Sequence, residues 1–275
     1  RDWTSFFDVL FCFYICISEL VLINNVMEQT NTQFPAEEVT LPSKGLIYPE
    51  GSPLKNGIIE MKYMTAKEED ILTNQNLIAN GTVIDKLLQS LIVTPIDYNE
   101  LLIGDKNAIL VAARILGYGA NYSFTQDGIN HNVDLSKLKD KILDESLISD
   151  SKNEFSFTLP TSKKEITFKL LTHADEKLID NEIKGLKKIN TNSNFSSTTT
   201  LKHTILSIDG DHEKSTIRTF VDTQLLARDA RELRKYIEKI QPNTNLVYEH
   251  EDSRGNIVEK TIPVGINFFW PDASV

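Results

Sequence analysis

Cysteine is nearly absent. Cys12 and Cys16 are the only two, both in the apolar N-terminal stretch, so the body of the chain can form no disulfide. That suits a reducing cytoplasm. Their C-x-x-x-C spacing has no second Cys or His pair nearby, so a zinc site there would need distant ligands. A long apolar run is missing too. Phe6 to Val26 (FFDVLFCFYICISELVLINNV) is the most apolar stretch, but Asp8 and Glu19 leave an unbroken run only from Val9 to Ile17. A bilayer span needs about 20 such residues. Arg1 with Asp2 makes a poor n-region and no small-x-small site follows, so a secretory signal is not expected. There is no excess of positive charge: Lys and Arg total 29 against 39 Asp and Glu, a formal charge of -10, the wrong sign for neutralising phosphates. The catalytic fingerprints G-x-S-x-G and G-x-x-x-x-G-K-[ST] are also lacking, and Gly117-Tyr118-Gly119 has no third glycine for a dinucleotide turn.

What is present suffices for a folded body. The 275 residues are 40% hydrophobic and 25% charged, which fits one large domain or two modest ones with a sizeable core, and fits neither wholesale disorder nor a polytopic membrane protein. The expected organisation is an apolar leader (1–26), an extended N-terminal arm (27–57), a helical and hairpin region (58–189), a linker (190–200), and a C-terminal part (201–275) with helices, a hairpin and an aromatic tail. Met27, followed by the polar lead-in EQTNTQFPAEE, is expected to be the natural start, with residues 1–26 as upstream sequence.

The fold class read from the patterning is α+β, a helical core with several antiparallel β-hairpins. Prolines and glycines between Glu28 and Gly57 exclude a helix or central strand there. Residues 58–64 alternate as a short strand. Thr65 and Glu68 form a capping box that opens a helix running to about Asn80, where Gly81 stops it. A second helix over 83–91 puts Val83, Leu87 and Leu91 on one face, and the two helices are expected to pack as a hairpin. Asp97 and Asp105 read as N-caps, the latter opening an apolar helix whose Ala108, Ala112, Ala113 and Gly117 invite close approach. Arg114, in the middle of that helix, is expected to reach solvent or to pair with an acid, because an unpaired buried charge is costly. Asp127-Gly128 signals one hairpin. Alternation across 155–159 and 166–170 signals a second, and 246–250 with 257–262 a third. Helices are expected over 172–189, 215–225 and 229–240. The stretch 201–208 is ambiguous between helix and strand, and NTNSNFSSTTT (190–200) reads as a linker or mobile loop.

Candidate chemistry is sparse. The five histidines are scattered, none at H-E-x-x-H or H-x-H spacing, and read as surface or structural residues. Asp209, Asp211, His212 and Glu213 are the densest ligand set. They allow a metal-dependent enzyme using Asp209, Asp211 and His212, although the EF-hand pattern is absent and a solvated turn also accounts for them. A membrane-anchored adaptor held by Phe6 to Val26 is a further alternative. In the tail, Phe268-Phe269-Trp270-Pro271 sets three large aromatics side by side, and neighbours in an extended chain point to opposite faces. Docking on another molecule and plugging this protein's own core are both open.

Several segments together resemble the baseplate hub protein family of T-even-type contractile-tailed bacteriophages. They are LPSKG at 41–45, IIEMKYMTAKEEDILTNQNLI at 58–78, LLIGDKNAILVAARILGYGANY at 101–122, SIDG at 207–210, DARELRKYIEKIQPN at 229–243 and VGINFFWP at 264–271. The resemblance covers most of the chain from about Leu41 onward, and its specificity lies in the ordered set. It implies a structural or assembly component of the phage baseplate hub, with no catalytic residues; no cofactor or metal is expected. Its implied partners are other hub or tail proteins, in the host bacterial cytoplasm during assembly or in the tail baseplate; the charge balance and the short apolar run argue against nucleic acid and a membrane as partners. The interface is expected at Pro42, Lys44 and Gly45 of the arm and at Phe268, Phe269, Trp270 and Pro271 of the tail. Some family members carry a cysteine knuckle, able to hold zinc, in the hairpin after the Y-G-x-x-Y segment. Residues 123–133 contain no cysteine here, so no metal role is carried over. Partner identity, copy number and oligomeric state are left open.

Overall fold

The computed structural model describes residues 35–148, 152–189, 196–251 and 255–269. The chain divides into two units, 1–36 and 37–275, and the architecture below is that of the second. It is α+β: helices with several small antiparallel sheets.

Strand β1 (Ala36–Thr40) pairs with β2 (Ile58–Lys62), in which Ile59 and Met61 are buried and Ile58 and Glu60 exposed. Between them the chain does not stand off as an arm. It winds through consecutive turns that bury Leu41, Ile47, Tyr48 and Leu54. Proline and glycine deny this segment a helix but leave its apolar side chains free to pack. Helix α1 (Ala66–Leu72) opens on the expected capping box, with the N–H and hydroxyl of Thr65 both donating to Glu68, and Lys62 holding the other carboxylate oxygen at 2.8 Å. The single helix expected over 66–80 is interrupted. Asn74 accepts from the N–H groups of Asn76 and Leu77, capping a new helix, α2 (Gln75–Asn80). A side chain that satisfies the backbone locally competes with helix continuation. Gly81, at φ 70, ends α2, and α3 (Val83–Leu91) buries Val83, Leu87, Leu88 and Leu91.

Helix α4 (Ile103–Tyr118) is the spine of the core. Ala108, Ile109, Leu110 and Val111 are buried in succession, so the helix is covered all round at that turn. The hairpin of β3 (Asn121–Gln126) and β4 (Ile129–Asp134) follows, with Asp127 and Gly128 at φ 54 and 76, the left-handed pair a two-residue turn requires. Short β5 (Asp140–Lys141) pairs with β9 (Asn243–Thr244). Strands β6 (Phe155–Thr158), β7 (Glu165–Phe168) and β8 (Ile205–Ile208) make a three-stranded antiparallel sheet, with Phe155 opposite Phe168 and Ile166 opposite Ile208.

Helix α5 (His173–Ile189) forms as expected. The expected linker over 190–200 is partly helix: α6 (Ser196–Thr204) buries Thr199 and Leu201. Residues 190–195 lie outside the described residues. A serine- and threonine-rich stretch is helical here because packing of Thr199, Leu201 and Thr204 outweighs its weak helix propensity, while Thr200 and Thr204 satisfy their hydroxyls on the carbonyls of Ser196 and Thr200. The ambiguous stretch 201–208 is helix to Thr204 and strand from Ile205. Helices α7 (Lys214–Thr223) and α8 (Ala227–Ile240) come next. The third hairpin, β10 (Val247–Glu251) with β11 (Ile257–Thr261), and the one-turn α9 (Ile266–Phe269) complete the described fold.

Candidate functional site

Within LPSKG, Pro42, Ser43 and Gly45 are buried and Lys44 is exposed at the tip, at φ 51. The N–H and hydroxyl of Ser43 donate to the two oxygens of Asp105 at 2.9 and 2.6 Å, and the Tyr48 hydroxyl adds a third bond at 2.7 Å. The same phenol oxygen accepts the Leu102 N–H at 3.0 Å. Burial pushes the Asp105 carboxyl up against the pull of these donors, and burial beside that carboxylate pushes the Tyr48 phenol up as well. Asp105, expected as an N-cap, thus lies in the first turn of α4 with its carboxylate committed to the LPSKG turn. Gly45 sits at φ 73, and a Cβ there would fall 2.2 Å from the Lys55 carbonyl oxygen. Pro42 and Gly45 therefore shape a buried turn and offer no exposed interface. Lys44 alone of the three predicted arm residues reaches outward, 3.9 Å from Glu145.

The tail differs in the same direction. Phe268 and Phe269 are fully buried in this chain's own core, not free as docking anchors. Phe268 stands edge-on against Tyr122, centroids 4.9 Å apart, and against Phe269 at 5.4 Å. Both rings can enter one core because the segment is helical, not extended, and neighbours in a helix are turned by about 100°. Trp270 and Pro271 lie outside the described residues. Tyr122 also receives Arg114, whose guanidinium carbon is 5.7 Å from that ring and 5.3 Å from the ring of Tyr118. The guanidinium donates to the carbonyls of Gly119 at 2.8 Å and Asn121 at 3.1 Å. Arg114 thus does not reach solvent, and among the described residues it pairs with no acid: carbonyl dipoles and aromatic faces hold its charge.

One cluster of titratable side chains gave no signal in the sequence beyond the i, i+3 pair of His173 and Glu176. Lys106 of α4 reaches Asp85 of α3 at 2.9 Å and Glu176 of α5 at 2.7 Å. Buried His173 has Nδ1 3.2 Å from Glu176, and its Nε2 lies 3.7 Å from Asp85 without a hydrogen-bond partner. Tyr98 packs edge-on to the imidazole at 4.6 Å and bonds Asp85 at 3.2 Å. Burial lowers the pKa of His173, with Asp85 opposing and Lys106 reinforcing the shift. Burial also acts to lower Lys106, but Glu176 and Asp85 outweigh it and raise the ammonium's pKa. With the Lys106 ammonium between the two acids, the cluster ties α3, α4 and α5 together by charge.

The Asp209, Asp211 and His212 set does not converge. Asp209, at φ 50, accepts from Lys164 at 2.8 Å and from the Glu165 N–H at 2.9 Å. Asp211 accepts the Glu213 N–H at 2.8 Å, and His212 is exposed. Among the described residues no group of three His, Cys, Asp or Glu side chains is placed to hold a metal ion. Among the same residues no helix is long and apolar enough to cross a membrane, and Phe6 to Val26, with both cysteines, lies outside them. No family model, curated protein or solved structure matches the chain.

Proposed function

We infer that the chain is a structural or assembly component of a contractile phage tail baseplate hub, working by contact with other hub or tail proteins. It acts in the host cytoplasm during assembly or within the finished baseplate. The observation that supports this reading is that several segments carrying the resemblance are fastened to one another or pin the fold. LPSKG is bonded to Asp105 of the 101–122 segment. The Phe268 ring of VGINFFWP packs on Tyr122, at the end of that same segment. Asp229, in the segment 229–243, accepts the N–H groups of Thr161 and Ser162 and so pins the β6–β7 turn. Pro242 and Asn243, in the segment 229–243, lie against the start of the 103–118 helix, the Pro242 carbonyl oxygen 1.7 Å from where a Cβ on Gly104 would be. Text that resembles one family in order thus coincides with the contacts that set one shape.

Electron microscopy of particles from a phage lacking this coding sequence tests the reading. Completed baseplates are expected to be missing and to return when the chain is supplied in trans. Normal contractile tails without it would overturn the reading.

A further inference from the structure

The β3–β4 and β10–β11 ribbons pack face to face through Phe124 and Tyr248, centroids 5.2 Å apart, and through His131 and His250 at 5.1 Å. Their edges do not meet. Asp140 pairs with Thr244, and the Asn245 N–H reaches the Lys139 carbonyl at 3.0 Å. Beyond that bond the ladder stops, and β4 and β10 belong to separate two-stranded sheets. The walls part into a cleft of about 660 Å³, bounded by 131–139 on one side and by 245–249 with Glu259 on the other. An unpaired strand edge presents a row of backbone donors and acceptors ready to receive another strand.

The charge of the β10–β11 wall says what that strand should carry. Glu249 and Glu259 are exposed and directly opposite in register, a pairing that repels. Neither has a cationic partner among the described residues. The same face carries Val247, 37% exposed, and Ile257, 71% exposed, so apolar surface flanks the acidic pair. Lys137 on the opposite wall is already paired with Asp134 at 3.3 Å, and Lys139 stands beside it, so the unmatched negative charge lies on the β10 side. His131, which also lines the cleft, has its Nε2 buried without a hydrogen-bond partner.

We propose that this cleft receives an extended segment of another protein, adding a strand to the β4 or β10 edge and setting lysine or arginine side chains against Glu249 and Glu259. The proposal deepens the assembly reading by giving the chemistry of one partner segment. Its test uses no phage, so either can fail alone.

The test presents the full chain with an end-blocked hexapeptide of alternating lysine and valine, and with the matching peptide of alternating glutamate and valine. Fluorescence anisotropy should show the lysine peptide binding at least tenfold more tightly. Hydrogen exchange should slow at amides within 130–134 or 247–249. The double variant Glu249→Lys, Glu259→Lys should reverse the preference. Equal affinity for both peptides, no binding of either, an unreversed preference, or protection confined elsewhere would each overturn the proposal. Glu259→Lys alone checks the folded ribbon, since replacing a like-charged pair by an opposite one should raise the thermal midpoint. A lowered midpoint would contradict the repulsion on which the proposal rests.

Discussion

Asp105 shows how much one buried side chain decides. Its carboxylate accepts from the Ser43 backbone, the Ser43 hydroxyl and the Tyr48 hydroxyl, all in the interior. Asp105→Ala strands all three donors, and a stranded buried donor costs about 1–3 kcal/mol, so a loss of about 3 kcal/mol is expected from urea unfolding. Phe269 makes a second case. Truncating a fully buried phenylalanine typically costs about 3–5 kcal/mol, so Phe269→Ala should shift the same midpoint strongly; a fully stable variant would contradict its place in the core. The role of Asp105 was not legible from neighbours in sequence, and the tail rings stood open between docking and core packing until the fold placed Phe268 and Phe269 inside. Aspartate before an apolar run reads as an N-cap, because sequence displays local chemistry while the atoms that satisfy Asp105 come from about sixty positions earlier in the chain.

At the level of elements, two helical glycines should respond oppositely to the same substitution. A Cβ on Gly104 would lie 1.7 Å from the Pro242 carbonyl oxygen, whereas one on Gly185 would meet nothing within 4 Å. Gly104→Ala is therefore expected to destabilise by about 2–3 kcal/mol through overpacking. Gly185→Ala should stabilise by about 0.5–1 kcal/mol by removing backbone freedom from the unfolded chain. Thermal melts of the two variants in parallel check the sign of each. Periodicity and turn chemistry exposed α3 and the Asp127-Gly128 hairpin well, since both signals act within a few residues. They failed at the α1–α2 break and at α6. In the first, one asparagine capped a new helix. In the second, burial of Thr199 and Leu201 favoured a helix that composition disfavours.

For the whole molecule, acid should weaken the fold in two stages. The folded pKa of His173 is lowered, chiefly by burial, so the unfolded chain binds that proton more readily. The stability it contributes is complete above the ordinary histidine value of 6.5 and is lost as pH falls below it. Glu182 is held at about 2 by Arg218, with His203 assisting, against an ordinary 4.5. Burial pushes Asp229 up, but the N–H groups of Ser162 and Thr161 outweigh it and hold it at about 2, against 3.8. Both carboxylates contribute stability above their ordinary values, and it drains away as pH falls toward 2. Urea midpoints measured from pH 8 to pH 3 should drop first below 6.5 and again below 4.5. His173→Gln should flatten the first drop and leave the second. An unchanged first drop would remove His173 as its source.

The sequence by itself determined the α+β class, the three hairpins and most helix positions, because repeat period, capping residues and left-handed turn residues act over a few neighbouring positions. Only the tertiary structure decided which polar groups are buried together: Asp105 with the LPSKG turn, Arg114 with the carbonyls after α4, and Lys106 with Asp85 and Glu176. It also turned the two tail phenylalanines inward. A buried charge or ring finds its partner by packing across the chain, and that choice leaves no mark in local order.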